Sequence, residues 1–249
     1  VRYFFRVEYD GTTFNGWQRQ PNGPSIQELI ENALGVVLRN RIEIVGAGRT
    51  DAGVHAKAQG AHFDFDGEIN IRKLERSVNS LLPSAIAIYN FTSVDSAFHA
   101  RFSASARQYK YYFSIRKQPL LYKRVWMIYN KLDWGKIREN IPCLVGKHDF
   151  STFCASGAGS KNTVCTVSEV MLENMDEFLV FTIKADRFIY RMVRSVVGTL
   201  IDIGSGSLND SMAHIIDVKD RMRAGTTAPA YGLVLDNVYY PREMLDETL

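Results

Sequence analysis

Aromatic and β-branched residues crowd the run Tyr3-Phe4-Phe5-Arg6-Val7-Glu8-Tyr9, and Asp10-Gly11 closes it with a turn signal, which predicts a strand. Periodicity then lapses over Phe14–Pro21, a loop. Ser25 with Glu28 three residues on forms a capping box, and Ile26, Leu29, Ile30, Ala33, Leu34 and Val37 recur at helical spacing. Ile42-Glu43-Ile44-Val45 and Ala58–Phe65 alternate as two strands. Asn70 caps a second helix carrying Leu74, Val78 and Leu81 and stopped by Pro83, and Ile86–Val94 returns as a strand. This half reads β-α-β-β-α-β, close to the ferredoxin-like pattern that also builds RNA-binding modules.

The second half repeats the flavour. Gln108–Ile115 alternates with Tyr109, Tyr111, Phe113 and Ile115 on one face, and Val125–Tyr129 is a further strand. Asp133 caps a helix through about Leu144, with Pro142 at its fraying end. Lys147–Phe153 follows, then a flexible segment, Ala155–Lys161. Val164–Asn174 and Glu177–Ala185 form a hairpin around Met175-Asp176. A helix from about Phe188 to Ile203 stops at Gly204. A shorter helix over about Asp210–Arg221 and a last strand, Leu233–Tyr240, complete the chain. The expected fold class is α+β: two ferredoxin-like, RRM-like lobes, 1–102 and 103–249, share a central, mostly antiparallel sheet flanked by helices.

Composition narrows the function classes. With 249 residues, 46% hydrophobic and 23% charged, the chain reads as an ordinary globular protein. No apolar run approaches the ~18 residues of a membrane span, and no signal-peptide pattern opens the chain. It begins at Val1 rather than Met, which leaves room for a missing start residue or short leader. Cys143, Cys154 and Cys165 fit neither a disulfide framework nor a zinc knuckle, and read as reduced thiols in a cytoplasmic protein. The five histidines form no ligand cluster, so no metal is expected.

Net charge is only +3, but its distribution is uneven. From Ser96 to Leu132 there is no Asp or Glu, while eight basic residues interleave with aromatic rings, from Phe98 to Tyr129. Cations attract phosphates and flat rings stack on bases, so the stretch suits RNA or single-stranded nucleic acid. An aromatic core strand with a solvated basic face accounts for it as well, and both can hold at once. Arg187, Arg191 and Arg194 share a stripe on the expected Phe188–Ile203 helix, by default a solvated one. Arg194 lies among apolar neighbours, where an arginine needs a carboxylate or phosphate partner.

The candidate chemistry sits in Gly46-Ala47-Gly48-Arg49-Thr50-Asp51-Ala52-Gly53-Val54-His55-Ala56. This glycine-rich loop between two strands offers one carboxylate, Asp51, beside one guanidinium, Arg49. Arg49–Ala56 resembles the signature of the TruA family of tRNA pseudouridine synthases. Tyr9–Thr12, Gly16–Gln20, Phe98–Ala104 with Arg107 and Tyr109, His148–Phe150 and Phe188–Arg194 match further motifs of that family in order. Cys165 departs from it, standing where the family usually has Arg, which touches a secondary RNA contact and not the chemistry.

The resemblance implies an isomerase that converts uridine to pseudouridine at positions 38 to 40 of the tRNA anticodon stem-loop, without a cofactor. It implies catalytic roles for Asp51, Tyr109 and Arg194: the nucleophile, a ring stacked on uracil that helps remove the C5 proton, and the cation that keeps Asp51 charged. It marks Arg49, His55, Arg107, Arg191 and again Tyr109 as substrate-binding, with Arg49 holding the flipped-out nucleotide. It also implies a homodimer with one tRNA across both subunits, in the cytoplasm. Two other readings of the residues stand beside it. A non-catalytic RNA-binding module leaves the RTDAGVH loop without purpose, and a hydrolase using Asp51 lacks a second acid or a His dyad.

Overall fold

Phe5, Val7 and Phe63 are shut away from solvent where strand β1 (Arg2–Tyr9) pairs antiparallel with β3 (His55–Asp64), Phe5 opposite Ala61 and Tyr3 opposite Phe63. β1 pairs on its other side with β4 (Ile86–Val94), antiparallel again. Two short partners share β3: β2 (Val45–Gly46) lies antiparallel at Ala61–His62, and β10 (Leu233–Tyr239) lies parallel at His55–Ala56. Helix α1 (Ile26–Leu38) packs against α2 (Ile71–Leu81), and α2 packs on β4. This is the expected β-α-β-β-α-β order with β10 added. The structure, a computed structural model, describes residues 1–21, 23–155, 162–175 and 178–245. It divides into unit 1, Val1–Ala106 with Val234–Leu249, and unit 2, Arg107–Leu233.

Residues 234–249, expected in the second lobe, therefore group with unit 1. Non-local bonds draw them there. The buried Arg6 guanidinium donates to Val238 O at 2.8 Å and lies 5.4 Å from the Tyr240 ring, while Tyr240 Oη donates to Ala100 O at 2.7 Å. Gly60 makes room for that tyrosine, because a Cβ there would stand 2.3 Å from Tyr240 Oη. The division falls after Ala106 rather than at Phe102, since Ser103 N–H donates to His99 O at 2.8 Å and Ser105 N–H donates to Tyr239 O at 2.9 Å.

Unit 2 holds the sheet β5-β9-β8-β7: β5 (Ala106–Ser114), β9 (Phe178–Ala185), β8 (Val164–Met175) and β7 (Gly146–Asp149), each antiparallel to its neighbour. β6 (Trp126–Met127) runs parallel beside the end of β5. Helix α4 (Met192–Ser205) is buried along most of its length. α3 (Trp134–Glu139) packs against it, with Gly204 placed where a Cβ would meet Ile137 Cδ1 at 2.5 Å; α5 is the short helix Met212–Val218. Both units are thus α+β, with mostly antiparallel strands flanked by helices. Residues 156–161 of the expected flexible segment and 176–177 of the expected hairpin turn lie outside the described residues.

Several boundaries differ from the sequence reading, each for a local reason. Ile42–Val45 contributes only Val45 to a strand, because α1 side chains take its backbone: Glu31 Oε1 accepts from Ile44 N–H at 3.0 Å and Gln27 Nε2 donates to Ile44 O at 3.2 Å. The helix begun at Asp133 stops at Glu139 and resumes only as a 3-10 turn over Pro142–Leu144. α4 starts at Met192, since Arg191 holds a left-handed φ of 60°, and it runs through Gly204 to Ser205, where Gly206 at φ 77° caps it. Arg187 and Arg191 precede the helix, so the three-arginine stripe does not form. Cys165 is fully buried on β8, and burial pushes its thiol up to about 11. Cys143 and Cys154 are free thiols, half-buried.

His62 carries a pH dependence. Burial, then the charges of Arg2 and His99, lower its pKa to about 4, so it is neutral in the fold near pH 7. An unfolded histidine titrates near 6.5. The stability that His62 contributes is therefore full above about pH 6.5 and is lost as pH falls towards 4, by roughly 2–3 kcal/mol. Urea unfolding across that window should show a steep fall in stability for the wild type and a flatter one for His62→Asn.

Candidate active site

In unit 1 the Asp51 loop is built by backbone packed on backbone. Gly11, in the turn after β1, lies so close to the loop that a Cβ on it would stand 2.0 Å from Val54 O. Gly16 takes a left-handed φ of 89°, and a Cβ there would meet Thr50 O at 2.5 Å. Only glycine permits both approaches. Trp17 N–H then donates to Thr50 O at 3.2 Å, and the Trp17 indole lies over Gly46 with no room for a side chain. Tyr9 Oη and Thr50 Oγ1 bond at 2.7 Å, buried. From the β3 side, Gln59 Nε2 donates to Gly48 O at 2.8 Å, and Ala47 N–H donates to Gly60 O at 2.8 Å.

Within this frame Val54 N–H donates to Asp51 O at 3.1 Å, closing a turn that holds Asp51 half-buried, with Arg49 exposed two residues before it. His55 is buried, and its Nδ1 accepts from Gly11 N–H at 3.1 Å while standing 3.1 Å from Asp10 Oδ1. One nitrogen cannot accept and donate at once. The Gly11 bond uses its lone pair, and Asp10 Oδ1 finds its donors in Thr12 N at 3.0 Å and Thr12 Oγ1 at 2.6 Å. Here the ring braces the turn against the loop.

In unit 2, Tyr109 stands half-buried on β5 opposite Ile183, edge-on to the Phe188 ring at 5.1 Å. Arg107, two residues earlier on β5, donates from Nη1 to Asp186 O at 2.8 Å. Arg194, in the first turn of α4, is half-buried and aimed by a reciprocal clamp: its Nε donates to Ala228 O at 2.8 Å, and Ala228 N–H donates to Arg194 O at 3.0 Å. The strap 225–229 presses onto α4 at Gly198, where a Cβ would lie 1.8 Å from Thr226 O. Tyr111 Oη ties the same strap through Pro229 O at 2.7 Å, and burial raises that phenol's pKa well above its ordinary value. Arg191 is exposed, its guanidinium 5.0 Å over the Tyr190 ring.

Unit 1 thus brings Arg49, Asp51 and His55 together, and unit 2 carries Tyr109, Arg107, Arg191 and Arg194. Of the supporting residues, Tyr9 and Trp17 lie in the matched motifs but carried no assigned role, and Gln59 and the strap at Ala228 went unmarked in the sequence. Gln59 left one signal, a polar residue inside the run Gln59–Phe63 that the fold buries on both faces. Among the described residues, no group of three or more His, Cys, Asp or Glu could hold a metal ion. Nor is any described helix long and apolar enough to cross a membrane.

Comparison with known proteins gives this geometry its context. The profile of a family described as tRNA pseudouridine synthase matches residues 6–103 and 142–241. The chain belongs to that family. This synthase is 44% identical over 248 residues to tRNA pseudouridine synthase A of Bacteroides fragilis, covering 98% of each chain. It is 40% identical to the protein of that name from Acetivibrio thermocellus, over 94% of this chain and 97% of the relative. The synthase is accordingly an isomerase. A solved archaeal box H/ACA sRNP Nop10-Cbf5 complex aligns over 80% of the synthase and 44% of that chain, at 11% identity and TM-score 0.37, too loose a likeness to carry an argument.

Gly11 tests how far the loop depends on its packing. Gly11→Ala must push the turn off Val54, so the synthase should lose about 1–3 kcal/mol in urea unfolding. Turnover on tRNA should fall further, by about 100-fold, the cost of an ångström-scale displacement of a loop that positions substrate or reacting groups.

Proposed function

We propose that this synthase isomerises uridine to pseudouridine in the anticodon stem-loop of tRNA, at positions 38 to 40, with Asp51 as its nucleophile. The observation that carries the reading is the Arg49–Ala56 loop itself. It keeps the family signature, and it holds its one carboxylate half-buried in a turn braced by Tyr9, Trp17 and His55. Detaching uracil from C1′ at N1 and rejoining it through C5 moves no electrons to or from a partner, so the reaction calls on no cofactor. A carboxylate serves it in either of two ways, by adding to C6 of the ring or by assisting departure of the base from C1′.

The remaining roles follow the family resemblance. Arg194, aimed by the Ala228 clamp, supplies a catalytic cation. Tyr109 stacks on the uracil, and the Phe188 edge supports its ring. Its hydroxyl assists removal of the C5 proton after reattachment. Arg49, exposed beside Asp51, holds the nucleotide out of its stack, and Arg107 and Arg191 take backbone phosphates. His55 serves the substrate by fixing the loop. A homodimer carrying one tRNA across both subunits, acting in the cytoplasm, completes the reading.

Unmodified tRNA transcripts carrying tritium at uridine C5 test it directly. Wild type should release tritium to water, while Asp51→Asn should bind the transcript and release it at least ~1,000-fold more slowly. Release by both would move the chemistry off Asp51; tRNA bound with release by neither would leave an RNA-binding module. Mapping the product by sequencing should place pseudouridine at 38 to 40, and modification elsewhere would correct the site.

The two unit 2 residues separate by kinetics. Arg194→Leu should lower kcat by about 100-fold with the Kd for tRNA little changed. Equal loss of both would make Arg194 a phosphate contact instead. Tyr109→Phe keeps the stacking ring and should slow the last proton removal, seen as product formation that lags behind consumption of uridine.

A further inference from the structure

Residues 115–131 form a part of unit 2 that none of the catalytic roles uses. They fall between the two stretches that the family profile matches. Their large side chains face solvent: Leu120 is 96% exposed, Tyr129 83% and Tyr122 76%. Arg116, Lys117, Lys123, Arg124 and Lys131 are exposed beside them. Lone exposed apolar residues are ordinary, but rings clustered among cations are not.

The segment is shaped rather than loose. Ser114 Oγ donates to Arg116 O at 2.7 Å, Arg124 N–H to Leu121 O at 2.9 Å and Ile128 N–H to Ser114 O at 2.9 Å. Trp126 on β6 anchors it to the core, edge-on to Tyr111 at 6.0 Å. Lys123 Nζ stands 5.6 Å over the Tyr122 ring, so cation and ring are presented as one surface. Tyr122 and Tyr129 converge on the half-buried Tyr231, near enough that both raise its phenol's pKa after burial has done so. Tyr231 follows in sequence the strap whose Ala228 carbonyl receives Arg194 Nε.

We propose that this surface binds an unpaired stretch of the tRNA substrate, with bases stacked on Tyr122 and Tyr129 and phosphates held by Arg116, Lys117, Lys123 and Arg124. The proposal rests on the synthase reading above and names a substrate contact beyond the target uridine. Exposed rings interleaved with cations suit splayed, single-stranded nucleotides better than a duplex, whose bases are already stacked. A second copy of the chain fits the surface poorly. Centred on a two-fold axis the segment would face its own copy, and the sequence from Ser96 to Leu132 carries no carboxylate to neutralise the lysines and arginines brought together there.

Two double variants test it, Tyr122→Ala/Tyr129→Ala and Lys117→Gln/Lys123→Gln, all at exposed positions. Each is measured for Kd with full-length unmodified tRNA across salt concentrations, for tritium release and for mass by light scattering. The tyrosine variant should weaken Kd at least tenfold, with the loss appearing in KM rather than in the rate at saturation. The lysine variant should lower the slope of log Kd against log salt by about 0.7 for each single-stranded phosphate contact removed. Unchanged Kd and slope, with wild type still releasing tritium, would overturn this proposal and leave the synthase reading intact. A change of oligomeric mass that by itself accounts for the lost affinity would overturn it in favour of a subunit interface. Failure of the wild type to release tritium would overturn both readings.

Discussion

The closest constraint in unit 1 is the contact of Gly11 with Val54, backbone against backbone with no space for a methyl group. From it follow the turn after β1, the seating of Trp17 on Gly46, and the bond from Gly11 N–H to His55. A loop held this way owes little to side-chain rotamers. Its carboxylate is displayed by main chain that has nowhere else to go, which is the kind of preorganisation a reacting group needs.

Unit 2 reaches a comparable precision by different means. Arg194 sits on a helix, so its Cα is fixed by packing, but a long side chain on a rigid helix is still free to swing. The strap at Ala228 removes that freedom by taking one donor, Nε, and the strap is itself held at Gly198 and by Tyr111. Close backbone approach at glycine recurs here, at Gly198 against Thr226 O, as the device that allows the clamp. Both sets of residues thus depend on positions where a side chain would be an obstruction.

The parts of the fold visible in the sequence were those decided within a few residues. Ser25, Asn70 and Asp133 cap their helices as expected, their side chains accepting from the backbone N–H of Glu28, Lys73 and Lys136, because a cap is a local bond. Asp51 and its loop were legible for the same reason, being one short motif. What escaped was decided at a distance. Ile42–Val45 alternates like a strand, yet Glu31 and Gln27 on a neighbouring helix claim its amide and carbonyl groups. Arg187, Arg191 and Arg194 share a helical stripe on paper, but the left-handed turn at Arg191 delays the helix. Tyr9, Trp17 and Gln59 became recognisable as braces only once the fold brought them to Thr50, Gly46 and Gly48.

The placement of β10 in unit 1 has a consequence for how the protein is made. Residues 1–106 leave the ribosome first, carrying Asp51, but β3 then still shows an unpaired edge at His55 and Ala56, and the carbonyl of Val238 that receives Arg6 does not yet exist. The whole of unit 2 must be translated before that edge is covered. An interrupted chain therefore holds the Asp51 loop beside an open strand edge, a site for mispairing, and only addition of β10 covers it. Completion of unit 1 thus waits on translation of β10, long after the Asp51 loop has been made.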